Sequence, residues 1–228
     1  MGWLSDLLNI LFPQVCEVCG ATLVEGERVV CLQCLARMPR LYFHRQPEHP
    51  FVRRMAAAKV KSVASMFAYV KNDSYARMIQ TAKYNNRPDI AYNLASAFAS
   101  ELKNEGFFSG IDDILPVPMY AWKQVRRGFN QADEIARGIS DITGIPVWNN
   151  LVAMRPHQSQ TTRNAVERAA NAAGIYALVE ADRLNGHHVL IVDDVITTGS
   201  TILGCCDAVM KASTAEVSVL SLAATRAD

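Results

Sequence analysis

The sequence predicts an α/β fold in which helices flank a parallel sheet, with a small cysteine-rich module in front of it. Two observations predict this class. An apolar run, Val189–Val192, is typical of a strand buried on both faces, and an apolar helical pattern follows it after a short polar turn. Near the amino end, four cysteines form two pairs, each with a two-residue spacer.

The length of the chain suits this organisation. Its 228 residues are 50% apolar, which is enough for one large core but leaves no room for a second large domain. We expect the cysteine-rich module and its linker to occupy residues 1–50 and the α/β domain to occupy residues 51–228. The net charge of +1 gives no strong overall field that would attract nucleic acid or an anionic membrane.

The amino-terminal segment Trp3–Phe12 is apolar but short, and it contains Asp6. It lacks a basic leader and a small-residue cleavage site, so we expect neither a signal peptide nor a membrane span, and hence a cytoplasmic location. The pattern predicts a short amphipathic helix that packs on the body or docks a partner. Its apolar face would be formed by Leu4, Leu7, Leu8 and Leu11.

The paired cysteines have the spacing of a structural zinc knuckle or ribbon, because a Cys-x2-Cys turn brings two thiolates to one tetrahedral ion. The predicted ligands are Cys16, Cys19, Cys31 and Cys34. Disulfides are the alternative, which a reducing compartment disfavours. His44 and His49 also have ligand-like spacing and offer a replacement for one pair or a second ion site. We expect Cys205 and Cys206 to pack in the core.

The other elements follow from apolar periodicity and from helix start and stop signals. Residues 39–54, rich in Pro, His and Arg, predict a linker. The pattern then predicts a strand over residues 62–70, a helix from Asp73 to Tyr84, a helix from Pro88 that Gly106 ends, a strand over Ile111–Leu115, a helix ending near Ile142 and a strand over Ile145–Trp148. Lys83 and Tyr84 are either ligand-facing or an ordinary surface lysine beside a packing tyrosine.

The turn after the predicted strand 189–192 combines features that suit a sugar phosphate. Its hydroxyls, its glycine and the unpaired amides of the next helix favour an anion, and its residues are Thr197, Thr198, Gly199, Ser200 and Thr201. Asp193 and Asp194 would repel that phosphate but can accept hydrogen bonds from ribose hydroxyls. A ribose 5-phosphate is the smallest ligand that uses every part. The alternative is a solvated Asp pair before a turn that only caps a helix.

A second candidate binding segment follows the strand predicted at Ile111–Leu115. Pro116-Val117-Pro118 cannot continue a strand ladder, so the backbone leaves the sheet at its carboxyl edge, where α/β sheets bind ligands. A plain turn is the alternative. The segment Arg126–Gln131 then supplies charge and side-chain amides before a helix, and the planar guanidinium of Arg127 suits pyrophosphate. A solvated basic turn would explain Arg126 and Arg127 equally well.

These segments resemble a known family. Residues 193–201 resemble the 5-phosphoribosyl-1-pyrophosphate (PRPP) signature of type I phosphoribosyltransferases. Leu115–Pro118, Arg127–Gln131 and the cysteine-rich amino end occur in the order found in ComF-type proteins, which makes the chain similar to that family over nearly its whole length. The resemblance implies a type I phosphoribosyltransferase-like sheet with a small zinc module.

The resemblance also implies roles for residues. Asp193, Asp194 and Arg127 would be the catalytic residues, and PRPP with Mg²⁺ would be bound by these three and by Gln131, the turn 197–201 and a pyrophosphate loop at Val117, Pro118 and Met119. Residues 155–176 would be a flap that excludes water, with Gln160, Arg163, Arg168 and Asn171 on its recurring positions; an ordinary surface helix is the alternative. No side chain need act as a nucleophile.

Three functions of different classes remain open at this point. The first is an enzyme that transfers a phosphoribosyl group to an unknown acceptor. The second is a regulator that senses PRPP or a nucleotide without catalysis. The third, which ComF-type proteins imply, is a component of DNA uptake in natural competence that works with a helicase or touches single-stranded DNA. The sequence gives no expectation for the oligomeric state.

Overall fold

A computed structural model describes residues 13–154 and 175–226 of the chain, and for residues 121–123 it describes the backbone alone. Two predictions lie outside these ranges. They are the amphipathic helix at Trp3–Phe12 and, except for its last two residues, the flap at 155–176.

The body is built on a four-stranded parallel sheet, as the sequence predicts, with the spatial order β1-β6-β5-β2. These strands are β1 at Val60–Ala68, β2 at Asp113–Pro116, β5 at His188–Ile196 and β6 at Glu216–Ala224. Residues 189–192 of central β5 are fully buried, in agreement with their continuous apolar run. A separate antiparallel pair joins β3 at Leu151–Ala153 to β4 at Tyr176–Leu178.

Helices cover both faces of this sheet and pack into two core clusters. They are α1 at Leu32–Arg37, α2 at Pro50–Ala57, α3 at Ser74–Tyr84, α4 at Pro88–Asn104, α5 at Ala121–Arg127, α6 at Gln131–Thr143 and α7 at Ser200–Ala212. The start signals act as the sequence predicts, since the Asp73 side chain accepts a hydrogen bond from the Ala76 amide and Pro88 opens α4. Short 3₁₀ turns lie at Phe43–Arg45 and Ala181–Leu184.

Two parts of the prediction differ from the structure. Residues 39–54, predicted to be a linker, include the start of a core helix, because α2 begins at Pro50 and buries Phe51 and Met55. The strand predicted at Ile145–Trp148 is reduced to one β-bridge between Val147 and Ile114. The Trp148 amide donates a hydrogen bond to the Ile114 carbonyl, and the chain then turns away from the sheet. The boundary at residue 50 stays a prediction.

None of the helices in the described ranges has the length and hydropathy that a membrane crossing needs.

Helices α4 and α6 cross at a close contact around Gly138. A Cβ atom at this position would lie 2.6 Å from the Tyr92 carbonyl oxygen and 3.0 Å from Ser96 Oγ. A helix-interior glycine normally gains stability on replacement by alanine, but here the added methyl group meets backbone. We expect Gly138→Ala to reduce the free energy of unfolding by about 1–3 kcal/mol, measured by urea denaturation. Ser100→Ala, on the exposed side of α4, is the control and should change it by less than about 0.5 kcal/mol; equal changes would contradict the prediction.

Candidate functional site

A cleft of about 280 Å³ opens at the carboxyl edge of the sheet, where β2 and β5 end. It brings together three segments that the sequence singled out separately: the loop after β2, the start of α6 and the carboxylate pair of β5. The predicted residues that line it are Val117, Pro118, Met119, Arg127, Gln131, Asp193, Asp194 and Thr201.

The carboxylate pair forms one wall of the cleft near the end of β5. The Asp194 amide donates a 2.8 Å hydrogen bond to Asp193 Oδ1, and Lys83 Nζ lies 2.7 Å from Asp194 Oδ2. Burial, together with the neighbouring charge of Asp194, raises the pKa of Asp193 to about 7. The pair therefore holds a carboxyl that changes its protonation near neutral pH and a carboxylate already paired with a cation.

The turn at residues 197–201 joins the end of β5 to the start of α7. Gly199 caps the start of α7 with φ +79°, a left-handed conformation that suits glycine. The hydroxyls of Thr198 and Ser200 share a 2.9 Å hydrogen bond, and Thr225 Oγ1 donates to the Thr197 carbonyl at 3.0 Å. Thr201 lines the cleft, whereas the other four residues of the turn are not part of its lining. The turn thus offers hydroxyls and helix amides next to the carboxylate wall.

The loop after β2 is held from two sides. The Val117 amide donates to the Val192 carbonyl at 2.9 Å, which extends the sheet pairing by one residue beyond Pro116. Asn130 Nδ2 donates to the Val117 carbonyl at 3.1 Å, while Asn130 Oδ1 caps α6 by accepting from the Ala132 amide at 3.2 Å. One buried amide side chain therefore fixes the loop to the start of α6.

Arg127 and Gln131 also line the cleft. Arg127 ends α5, and Gly128 with φ +85° turns the chain toward α6. Arg127 Nη1 donates to Gln131 Oε1 at 3.4 Å, and its guanidinium carbon lies 5.6 Å from the centre of the Tyr84 ring. Gln131 is 2% exposed, and its Nε2 has no hydrogen-bond partner among the described residues. A buried donor without a partner, in the wall of a cleft, suits a ligand oxygen.

Four polar residues that line the cleft are not among the binding residues that the sequence predicts: Lys83, Tyr120, Asn130 and Tyr176. The sequence leaves Lys83 open between a ligand-facing role and an ordinary surface role, and Asn130 belongs to the candidate segment Arg126–Gln131. Tyr176 lines the cleft together with Thr201, and burial raises the pKa of its hydroxyl, so it stays neutral. Tyr120 follows the proline-rich loop and carries no distinctive local signal.

A comparison with protein families agrees with this architecture. The sequence model of the phosphoribosyl transferase domain matches residues 94–228, more than half of the chain. The chain belongs to the phosphoribosyl transferase domain family.

Two curated relatives have names connected with DNA. Competence protein F of Haemophilus influenzae is 38% identical over 112 residues, which are 48% of this chain and 49% of that protein. The chain thus spans about half the length of this relative. DNA utilization protein YhgH of Escherichia coli strain K12 is 26% identical over 222 residues, which are 92% of this chain and 90% of that protein.

Solved structures with related folds are more distant. Glutamine PRPP amidotransferase from B. subtilis, complexed with ADP and GMP, has a TM-score of 0.42 and 21% identity, covering 63% of this chain and 30% of its own. Purine phosphoribosyltransferase from Pyrococcus horikoshii has a TM-score of 0.37 and 18% identity, covering 59% of this chain and 73% of its own.

In front of the phosphoribosyl transferase domain, the four predicted metal ligands come together. The sulfur atoms of Cys16, Cys19, Cys31 and Cys34 all lie within 4.8 Å of one another, and those of Cys19 and Cys31 are 3.8 Å apart. Tetrahedral zinc with Zn–S bonds of about 2.3 Å separates its sulfur ligands by about 3.8 Å. No disulfide joins them. The cluster therefore fits a tetrahedral metal.

The backbone around the cluster favours a thiolate at Cys16. Burial disfavours its ionised form, but the Cys31 amide donates to its Sγ at 3.3 Å and further amides of the first Cys-x2-Cys turn add to this, so the pKa of Cys16 falls to about 7. Burial and the neighbouring thiols raise the pKa of Cys34. A bound cation would reverse that shift and ionise all four thiols.

The two histidines with ligand-like spacing have other partners. His44 Nε2 lies 2.8 Å from Glu105 Oε2, and His49 Nδ1 accepts a hydrogen bond from the Phe51 amide at the start of α2. Neither belongs to the cysteine cluster, which is the group found among the described residues that could hold a metal ion. Cys205 and Cys206 are fully buried in the core, which confirms the prediction of a packing role.

Proposed function

We propose that the cleft binds PRPP or a nucleoside phosphate of similar shape, together with Mg²⁺, and transfers the phosphoribosyl group to an acceptor in a process of DNA utilization. The observation that carries the proposal is the convergence on one cleft of the carboxylate pair, the Val117–Met119 loop and the unpartnered Gln131 amide. The names of the two relatives support a role in competence and DNA uptake. Zinc is the metal that we propose for the cysteine cluster.

Different residues would bind the phosphate, the ribose and the pyrophosphate of the ligand. The turn 197–201 would hold the 5-phosphate through helix amides and hydroxyls, and Asp193 and Asp194 would accept hydrogen bonds from the ribose hydroxyls. Arg127 and the Gln131 amide would hold the pyrophosphate as its charge develops. Mg²⁺ bound with the ligand would supply further neutralisation of that charge. The acceptor would form the new bond at the anomeric carbon while pyrophosphate leaves with the old bonding pair.

Calorimetric titration with PRPP and Mg²⁺ tests binding, and an assay of pyrophosphate release with a panel of acceptors tests transfer. Asp194→Asn should weaken PRPP binding about tenfold or more, because it removes a charged acceptor from the ribose. Asp207→Asn, which breaks only a surface pair with Lys211 on α7, is the matched control. Absence of binding by the native chain would refute the proposal.

A second candidate function is a sensor that binds PRPP or a nucleotide without catalysis. The ion pair between Lys83 and Asp194 favours it, because the pair engages a carboxylate that transfer would need for the ribose. Binding without pyrophosphate release, with every acceptor tried, would identify this function. The proposed partners in either case are a helicase of DNA uptake or single-stranded DNA.

The raised pKa of Asp193 predicts that PRPP binding depends on pH. Because the carboxyl must be ionised to accept two hydrogen bonds, affinity should rise about tenfold between pH 6 and pH 8 as it titrates through a pKa of about 7. The free protein should show the opposite trend, losing stability as the pH rises from the ordinary value of 3.8 through about 7, since the folded state binds this proton more tightly.

Calorimetry at several pH values checks this prediction, with Asp193→Asn as the control that retains only the titration of the ligand. The same pH profile in both proteins would contradict it.

A further inference from the structure

The carboxyl end of helix α3 places the cation of Lys83 in the cleft and packs Tyr84 against a second cation, that of Arg127. Lys83 Nζ forms the 2.7 Å ion pair with Asp194, and the lysine side chain is only 22% exposed. The next residue, Tyr84, lies under the guanidinium of Arg127. A shift of this helix end would therefore move Lys83 and remove a support from Arg127.

The cysteine module, residues 13–38, holds α3 at both ends. Near the amino end of the helix, Tyr75 Oη donates a 2.7 Å hydrogen bond to the carbonyl of the metal-site residue Cys34. Just beyond the carboxyl end, Arg87 Nη1 lies 2.7 Å from Glu17 Oε1, and Glu17 lies within the first Cys-x2-Cys turn. Arg87 also binds Asp89 with two further nitrogens, which ties this junction to α4.

The module and α3 also share an apolar core cluster. Met78, Ile79 and Ala82 of α3 are buried in the same core cluster as Cys16 and Cys31. A close-packed interior transmits displacement instead of absorbing it. A displacement of the cysteine module should therefore also displace the helix that carries Lys83.

We propose that the metal-bound cysteine module positions Lys83 in the cleft. The module would then contribute to binding of the phosphate ligand, in addition to stabilising the amino-terminal part of the fold. Lys83 is the residue that contacts the ligand. When the ligand binds, Lys83 leaves its ion pair with Asp194 and binds a phosphate oxygen, and Asp194 is then able to accept hydrogen bonds from the ribose hydroxyls. Glu17, Arg87 and Tyr75 are positioning residues that act through Lys83. This inference rests on the proposed function of the cleft.

A double-mutant cycle on the zinc-loaded protein tests the coupling. Glu17→Gln removes the charge that holds Arg87 and should weaken PRPP binding about fivefold, with zinc content and unfolding temperature unchanged. In the Lys83→Met background, the same substitution should change the affinity by less than about twofold, because its route to the ligand is gone. Lys83→Arg should recover part of the affinity that Lys83→Met loses.

Glu27→Gln is the matched control within the module, since Glu27 accepts from the Val24 and Leu32 amides and has no hydrogen bond or ion pair with α3 among the described residues. It should leave PRPP affinity within about twofold of the native value. Equal losses from Glu17→Gln in both backgrounds, or no loss in the native background, would overturn the proposal.

A second measurement separates this inference from the proposed function. The ¹³Cε resonance of Lys83, assigned by its absence in Lys83→Met, should shift in Glu17→Gln but not in Glu27→Gln, with no ligand present. If the native chain binds no PRPP and this resonance still shifts, the proposed function fails and the coupling stands. An unshifted resonance refutes the coupling whatever PRPP does.

Discussion

Removing the metal from the cysteine cluster is expected to lower the unfolding temperature by about 6–12 °C. Three of its four ligands are buried, and they share a core cluster with Phe67 of β1 and Met78 of α3. Chelation leaves four thiols crowded within 4.8 Å, with the pKa of Cys16 lowered to about 7 and the pKa of Cys34 raised by burial and the neighbouring thiols. A loss of about 3 kcal/mol, modest for a structural zinc site, corresponds to that shift in a chain of this size.

Calorimetric melting with and without a chelator checks this prediction, alongside the zinc content of each protein. Cys34→Ser should bind no stoichiometric zinc, should melt at a lower temperature and should no longer respond to chelator. Cys206→Ala is the control, because this cysteine is buried away from the cluster. It should keep one zinc per chain and the full response. A native chain that holds no metal, or that melts unchanged in chelator, would contradict the prediction.

The sequence was most informative where chemistry is local. The Cys-x2-Cys pairs bring their own ligands together within one turn, and the order of strand, carboxylates, turn and helix at residues 189–201 depends on neighbouring residues only. The same is true of the caps at Asp73 and Pro88. The structure places these features as the sequence predicts, because turn geometry and burial of an apolar run decide them.

Features that depend on distant pairing were not foreseen. Strand β6 at Glu216–Ala224 was not assigned, although it is central in the sheet, since its position follows from pairing with β1 and β5. The antiparallel pair β3 and β4 was also missed. The ion pair between Lys83 and Asp194 joins two elements far apart in the chain, and local periodicity carries no signal for it. The same holds for α2, whose packing under the turn depends on tertiary contact.

The substitution Gly199→Ala is expected to weaken PRPP binding about 100-fold. The backbone there has φ +79°, and a Cβ atom would lie 2.7 Å from Met55 Cε, a fully buried side chain of α2. Alanine therefore adds conformational strain and strikes the end of a side chain that is itself enclosed in the core, so the turn shifts unless Met55 repacks. A shifted turn misplaces the amides at the start of α7, and two charge-assisted hydrogen bonds of about 1.5 kcal/mol each account for the expected loss.

Two comparisons make this prediction specific, both measured by calorimetric titration with PRPP. Gly106→Ala carries the same left-handed strain, with φ +75°, but its added methyl meets nothing within 4 Å, so it should leave the affinity unchanged. Met55→Leu removes the atom that the new methyl would strike at little cost in volume, so Gly199→Ala with Met55→Leu should recover part of the affinity. If Gly199→Ala binds PRPP as the native chain does, the phosphate does not lie on this turn. Recovery in the double variant would show that Met55 of α2 supports the conformation of the turn. The sequence predicts only a linker for most of this helix.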